Sequence, residues 1–353
     1  MPIRPDGIAF RPTIKKESGD ESPHTKDRYN SSMSETKPLV VVPADNPTQI
    51  GESPQLDRLM ELAKVQIYRT RTESPDELVS RATDAEVLIN SRGFVQWPGE
   101  LLQQLPKLRM ITTCSIGTDS IDLEAARKLG ITVSNIPGKT APVVAEHALA
   151  MIMAISKRLA FQTSELKSGR WTARQNVMLA GKTLGLVGTG AIGAEVARLA
   201  RAIGMNVIAW TFNPSPERAS RLGVEFVDLD ELLETSDVVS LHVKLTSDSH
   251  HLIGEKELAR MKPGSLLVNT ARGAVIDADA LVESLNRGHL AGAALDVFET
   301  EPLAVDSAIL KCDQVVLTPH HADQTPEGKE LLNTGAVDNV IAYLNGSPQN
   351  VVT

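Results

Sequence analysis

Three short segments in the second half of the chain carry side chains suited to acid–base chemistry on a carboxylate-bearing molecule. They contain Arg272, Glu301 and His320. Arginine offers a permanently charged fork for a carboxylate, and a histidine pKa of about 6.5 allows proton exchange near neutral pH. A glutamate beside the histidine would fix its tautomer and raise its pKa. Taken singly, these residues also suit a surface ion pair, a turn and a buried core histidine.

A glycine-rich segment, Gly188-Thr-Gly190-Ala-Ile-Gly193, follows an apolar run and precedes a helical pattern. In this context Gly188 permits a tight turn, Gly190 lets a pyrophosphate approach, and Gly193 lets helix and strand pack closely. The backbone N–H groups of Ala191 and Ile192 would face the anion at the positive end of the helix. The segment predicts a dinucleotide site, and an ordinary tight turn is the alternative.

The residues after the next predicted strand bear on the choice between NAD and NADP. An acidic residue about 20 positions beyond the glycine loop usually holds the ribose hydroxyls, but this chain has Thr211 and Asn213 in that region. No arginine is adjacent, and Arg218 and Arg221 lie further on. The choice stays open, and we expect less than ~100-fold discrimination with a slight preference for NAD.

These segments belong to an alternation of strand and helix patterns that predicts an α/β fold with parallel sheets. Predicted strands of a first sheet are Leu39–Val42, Val87–Ile89, Met110–Cys114 and Ile131–Val133, with helices Gln55–Val65, Asp76–Ala82 and Leu123–Leu129. A long apolar helix, Val143–Arg158, separates it from a second sheet. Predicted strands there are Thr183–Val187, Asn206–Trp210, Val224–Val227, Val238–His242, Ser265–Asn269, Ala293–Val297 and Val315–Leu317. A last helix spans Pro326–Leu344.

Composition excludes several classes of protein. The 353 residues carry a formal net charge of −8 and only two cysteines, so neither a nucleic-acid-binding surface, a disulfide framework nor a metal site is expected. No apolar run is long enough for a membrane span. Residues 1–37 lack hydrophobic periodicity and predict a disordered tail. We expect a soluble cytoplasmic protein.

The combination of motifs resembles the D-isomer-specific 2-hydroxyacid dehydrogenase family. The resemblance extends from about Ser91 to Glu327, and the segments Ile116-Gly-Thr-Asp-Ser-Ile-Asp and Val144-Ala-Glu are most similar to the phosphoglycerate dehydrogenase branch. Because the last predicted helix ends shortly before Thr353, we expect the C-terminal regulatory domain of the longer members to be absent.

The resemblance implies two doubly wound parallel-sheet domains. A Rossmann cofactor domain at 141–321 would be inserted into a flavodoxin-like substrate domain formed by 38–140 and 322–353. The active site would lie in the cleft between them, and the protein would be a homodimer joined through its cofactor domains.

The resemblance also implies hydride transfer between NAD, or alternatively NADP, and a 2-oxo acid/D-2-hydroxy acid pair. Arg272 would bind the substrate carboxylate, and His320 with Glu301 would form the acid–base pair. The remaining implied contacts are Thr211, Thr270, Ala271, Asp296 and His320 for the cofactor besides the glycine loop, and Arg92, Gly93 and Gly117 for the substrate.

Three questions remain open at this level. Arg92 favours a substrate with an anionic or polar tail, whereas Phe94 and Trp97 would suit an apolar one. His321 neighbours His320, although the Thr-Pro-His order favours His320 as the acid. The C-terminal-binding corepressors resemble the same fold, so a nucleotide-sensing scaffold is the alternative to an enzyme.

Overall fold

Two parallel sheets organise the computed structural model, which describes residues 37–93 and 95–353. Residues 38–353 belong to one compact unit. The predicted disordered tail lies outside the described residues except for Lys37. Within the described ranges no helix is long and apolar enough to cross a membrane, and the cytoplasmic location stays a prediction.

The first sheet has the strand order β2-β1-β3-β4-β5, which is the flavodoxin-like order. Its strands are β1 (Leu39–Val42), β2 (Lys64–Ile67), β3 (Val87–Asn90), β4 (Met110–Thr113) and β5 (Thr132–Ser134). The helices between them are α1 (Gln55–Met60), α2 (Pro75–Ala82), α3 (Gly99–Leu102) and α4 (Leu123–Lys128). The central strands β3 and β4 are buried along their whole length, because helices cover both faces of a parallel sheet.

The second sheet has the order β12-β11-β10-β9-β6-β7-β8. Its strands are β6 (Thr183–Val187), β7 (Asn206–Trp210), β8 (Glu225–Phe226), β9 (Val238–Leu241), β10 (Leu266–Asn269), β11 (Gly292–Leu295) and β12 (Val315–Leu317). The helices are α5 (Ala141–Ser156), α6 (Leu159–Lys167), α7 (Ala191–Ala202), α8 (Pro216–Leu222), α9 (Leu229–Thr235), α10 (Glu255–Arg260) and α11 (Ala278–Asn286). All strands are parallel, but successive strands are added outward from β6 on one side and outward from β9 on the other. Doubly wound folds bind their ligands at such a reversal of strand order.

The last helix, α12 (Pro326–Leu344), follows the second sheet but packs against β4 and α1 of the first. Thr325 caps it by accepting a hydrogen bond from the N–H of Gly328. The two-sheet α/β fold is therefore confirmed. The domain limits at 38–140, 141–321 and 322–353 stay a prediction.

Three local predictions were wrong. The helix expected over Gln55–Val65 ends at Met60, and Lys64–Ile67 forms strand β2 at the sheet edge; its half-exposed residues carry too weak an alternation to be distinguished from a helix. The long helix ends at Ser156 because Arg158 adopts a left-handed conformation, after which α6 begins. The predicted strand Val224–Val227 is reduced to the two-residue strand β8.

Candidate active site

The glycine loop joins β6 to α7 at the reversal point of the second sheet. Gly188 has a φ of 102°, a left-handed conformation that favours glycine. A side chain on Gly193 would overlap the carbonyl oxygen of Gly188. A Cβ atom placed on Gly190 would have no other atom within 4 Å, so the space beside Gly190 is open. The loop is thus closed on its protein side and open where an anion would approach α7.

This opening fits a dinucleotide cofactor. The N–H groups at the start of α7, from Ala191 onward, have no earlier helical turn to bond to, which makes a helix N-terminus an anion site. Thr270, which directly follows β10 in the same sheet, has a buried hydroxyl without a hydrogen-bond partner among the described residues. Gly190, Ala191 and Ile192 are therefore the residues that would hold a pyrophosphate.

Arg272 lies just after β10 and reaches across to the first sheet. Its Nε and Nη2 donate to Oδ2 of Asp119 at 3.0 and 2.9 Å, and its Nη1 donates to the carbonyl oxygen of Ala271 at 2.7 Å. A side chain on Gly117 would overlap Nη2 of Arg272. Gly117 is therefore required for the guanidinium to enter the space beside the loop after β4.

Two contacts fix the loop that carries Arg272. The amide of Asn269 donates to the carbonyl oxygen of Arg272 at 2.8 Å, and its Oδ1 accepts from the N–H of Ala271 at 2.9 Å. The Cα of Gly273 approaches the backbone of Phe298 so closely that any side chain would overlap it. The arginine loop and the loop containing Glu301 are thus held together.

Glu301 and His320 form a hydrogen-bonded pair. Oε2 of Glu301 lies 2.7 Å from Nδ1 of His320, and Oε1 accepts from the N–H of Phe298 at 2.9 Å. This contact makes Nδ1 the protonated nitrogen that faces the carboxylate, and leaves Nε2 for a substrate. His321 is exposed, and the residue that contacts Glu301 is His320.

The pair shifts both pKa values in the direction expected for coupled charges. The hydrogen bond and charge of Glu301 raise the pKa of His320, against partial burial and the positive charge of Arg272. Burial would raise the pKa of Glu301, but the hydrogen bonds from His320 and Phe298 lower it overall. The arrangement favours a protonated imidazole beside an ionised carboxylate near neutral pH.

Asp296 anchors the loop on which His320 lies. Its side chain is fully buried and accepts hydrogen bonds from the Thr318 hydroxyl at 2.6 Å and from the N–H groups of His321 and Ala322 at 2.8 and 3.0 Å. Its carbonyl oxygen accepts from the N–H of His320 at 2.7 Å. The contact of Asp296 with the nicotinamide amide, implied by the resemblance, stays a prediction.

The backbone of His320 is strained. Its φ is 55°, in the left-handed region that costs a non-glycine residue about 1–3 kcal/mol. The hydrogen bonds that Asp296 accepts hold this conformation, and such strain is concentrated at functional sites. The strain therefore supports a functional role for this residue.

Arg92 follows β3 and lies next to the histidine loop. Its Nη2 is 3.5 Å from Oδ1 of Asp323, and its side chain is 17% exposed. Trp97 is fully buried in the core of the first sheet, so the expectation that it could line an apolar substrate pocket was wrong. Phe94 lies outside the described residues.

The structure brings Arg272, Glu301, His320 and Gly117 together, and it places Arg92 with Asp323, three residues beyond His320. Gly93 follows Arg92 with a φ of 66°. Thr211 follows β7, on the glycine-loop side of the sheet.

The sequence analysis assigned no role to Asp119 or Asp323. The signal for Asp119 was its position in the segment beginning at Ile116, and the signal for Asp323 was an acidic residue three positions after His320.

His147, on α5, belongs to the same polar network. Its Nε2 lies 3.1 Å from the Thr318 hydroxyl and 3.5 Å from Oδ1 of Asp296. It therefore supports the histidine loop from a partly buried position. Cys114, which follows β4, is fully buried.

A family model described as "D-isomer specific 2-hydroxyacid dehydrogenase, NAD binding domain" matches residues 149–322. A glyoxylate reductase of Thermococcus litoralis is 41% identical over 263 residues, which cover 72% of this chain and 79% of that relative. The chain belongs to the D-isomer-specific 2-hydroxyacid dehydrogenase family. It is accordingly an oxidoreductase that uses NAD(P).

Two further similarities agree with the family. A D-3-phosphoglycerate dehydrogenase of Archaeoglobus fulgidus is 38% identical over 279 residues, which cover 78% of this chain and 52% of that relative. The crystal structure of a glyoxylate reductase from Paecilomyes thermophila superposes with a TM-score of 0.81 at 30% identity, covering 90% of this dehydrogenase and 99% of that chain. The similarity to both kinds of relative leaves the branch within the family undecided.

Proposed function

We propose that this dehydrogenase reduces small polar 2-oxo acids, with glyoxylate and hydroxypyruvate as the substrate class, to D-2-hydroxy acids. The observation that carries the proposal is the 2.7 Å contact between Glu301 and His320. The loop that contains Glu301 packs against the loop that contains Arg272. Carboxylate binding and proton donation are thereby available at the carboxyl ends of β10 and β12, at the edge of the sheet from which the glycine loop also projects. The naming of glyoxylate reductases among the relatives supports the same substrate class.

Each proposed role follows from the chemistry of the side chain. Arg272 binds the substrate carboxylate and polarises the neighbouring carbonyl group, with Nε and Nη2 as its donors. His320 donates the proton on Nε2 to the carbonyl oxygen, and Glu301 stabilises the imidazolium before that transfer. When bound, the reduced nicotinamide supplies the hydride that adds to the carbonyl carbon, so that the C=O group becomes CH–OH.

Replacement of Glu301 by glutamine tests the coupling in this pair. Because Glu301 raises the pKa of His320, its loss should lower that pKa, so reductase activity should decline at a lower pH than in the wild type. Oxidation requires neutral His320, so it should begin at a lower pH. The measurement is the pH profile of kcat/KM in both directions. Glu299→Gln is the matched control and should keep the wild-type profile, since Glu299 contacts His251 at 3.2 Å and not His320. An identical pH profile for Glu301→Gln and wild type would contradict the pairing of Glu301 with His320.

The ion pair between Arg92 and Asp323 narrows the proposed substrate. Arg92 attracts a polar tail, whereas the adjacent Asp323 carboxylate opposes a doubly charged phosphate. We therefore favour glyoxylate and hydroxypyruvate over phosphohydroxypyruvate and over branched or aromatic 2-oxo acids.

A panel of these acids, followed by nicotinamide absorbance with NADH and NADPH, tests the proposal. Arg92→Ala should raise KM for hydroxypyruvate about tenfold, the expected cost of one charge-assisted hydrogen bond, and for phosphohydroxypyruvate in the same direction. Glyoxylate, which has no tail beyond its carbonyl carbon, is the internal control and should be nearly unaffected. A branched or aromatic acid as best substrate would overturn the substrate class, and absence of turnover with every acid of the panel would contradict the proposed function.

We also infer a homodimer. Large apolar side chains are exposed on α6 and the segment after it, with Leu166 at 55%, Trp171 at 92% and Met178 at 69% exposure. Exposed apolar surface of this kind is typical of an interface. Light scattering should give about twice the chain mass of 38.1 kDa, and a monomeric mass would contradict the inference.

A further inference from the structure

Arg218 lies beside the glycine loop, although it is eight residues beyond the end of β7. Its Nη2 donates to the Oγ1 of Thr189 at 2.7 Å and to the carbonyl oxygen of the same residue at 3.0 Å. Its Nη1 donates to the carbonyl oxygen of Asn213 at 2.7 Å. The guanidinium is thus fixed between the glycine loop and the turn that follows β7.

The turn explains how a residue so distant in sequence reaches the loop. Pro216 is the first residue of α8, and the Ser215 hydroxyl caps the helix by accepting a hydrogen bond from the N–H of Arg218 at 3.2 Å. The chain therefore reverses within Asn213–Ser215 and brings the side chain of Arg218 back to Thr189. The sequence has no arginine adjacent to the missing acidic residue, and the turn brings Arg218 to the glycine loop from further along the chain.

The electrostatic character of this position is positive. The three acceptors that hold Arg218 are neutral oxygens, and no carboxylate of residues 37–93 or 95–353 lies within 4.0 Å of its guanidinium nitrogens as an ion-pair partner. The residues Thr211–Ser215 contain no acid. An acidic residue here would bind ribose hydroxyls and repel a 2′-phosphate, whereas an arginine accommodates the phosphate.

We propose that Arg218 binds the 2′-phosphate of NADP(H) and gives this dehydrogenase a preference for NADP(H) over NAD(H). The inference rests on the proposed function only in assuming that the glycine loop binds a dinucleotide. It reverses the slight preference for NAD expected from the sequence. The expected difference is about 10- to 100-fold, the range of a hydrogen bond to a charged group.

Calorimetric titration with 2′,5′-ADP and with 5′-ADP tests this proposal without turnover. Wild-type protein should bind 2′,5′-ADP about tenfold or more tightly than 5′-ADP. Arg218→Gln should remove most of that difference while keeping its affinity for 5′-ADP. Arg221→Gln is the matched control, because Arg221 is exposed on the same helix and should leave both affinities unchanged.

Two results would overturn the proposal. Equal affinities of the wild-type protein for the two nucleotides would show that the 2′-phosphate is not recognised. An equal loss of both affinities in Arg218→Gln would show that the arginine only supports the glycine loop. Failure of the proposed function would be seen separately, as retained nucleotide binding without reduction of any 2-oxo acid. If both proposals hold, Arg218→Gln should lower the ratio of kcat/KM for NADPH to kcat/KM for NADH.

Discussion

Replacing His320 by alanine is expected to lower kcat for 2-oxo acid reduction about 10²- to 10⁴-fold, the usual contribution of a positioned general acid. The imidazole contacts Glu301 through Nδ1, so its Nε2 is the proposed proton donor, which the variant lacks. The glycine loop lies on other elements, so cofactor affinity should be nearly unchanged. Steady-state kinetics together with a nucleotide titration measure the two effects.

The positive φ of His320 requires a second variant, because alanine is strained there. Asparagine tolerates this conformation better and cannot act as an acid, so His320→Asn should lose activity to a similar degree while the loop keeps its shape. His321→Ala is the control and should retain most of the activity. If His321→Ala were inactive and His320→Asn active, the assignment of the acid would be wrong.

Arg272→Leu should lower kcat/KM for glyoxylate about 30- to 5,000-fold, or about 2–5 kcal/mol, the cost of truncating one partner of a hydrogen-bonded charge pair. Its Nε and Nη2 both contact Asp119 in this structure, and these are the donors assigned to the substrate carboxylate. The loss should appear with every 2-oxo acid, because the carboxylate is common to them. Cofactor affinity measured by titration should be preserved.

Arg272→Lys separates charge from geometry, since lysine keeps the charge but cannot form the two-pronged contact. We expect it to recover only part of the activity lost in Arg272→Leu. Arg92→Ala, in the loop after β3, is the comparison and should affect glyoxylate little. Full activity of Arg272→Leu would contradict its role in binding the carboxylate.

The order of residues in the chain determined the chemistry of the site. Arg272, Glu301 and His320 each follow an apolar run that reads as a parallel strand, and the carboxyl ends of such strands meet at one edge of a sheet. The glycine loop was recognisable for the same reason, because Gly188 and Gly193 are dictated by local geometry next to β6. Local pattern was sufficient for these features.

Only the tertiary structure decided how distant residues meet. Arg218 contacts Thr189, which is 29 residues away in the sequence, and Arg272 contacts Asp119, which is 153 residues away. Arg92 pairs with Asp323, near the other end of the chain. No periodicity records such pairs, because they depend on turn conformations and on which loops pack together. The same limit explains why Trp97, an aromatic residue next to a predicted substrate loop, lies in the core and not in the cleft. The sequence thus determined which groups are present at the carboxyl edge of each sheet, and long-range packing determined which of them face one another.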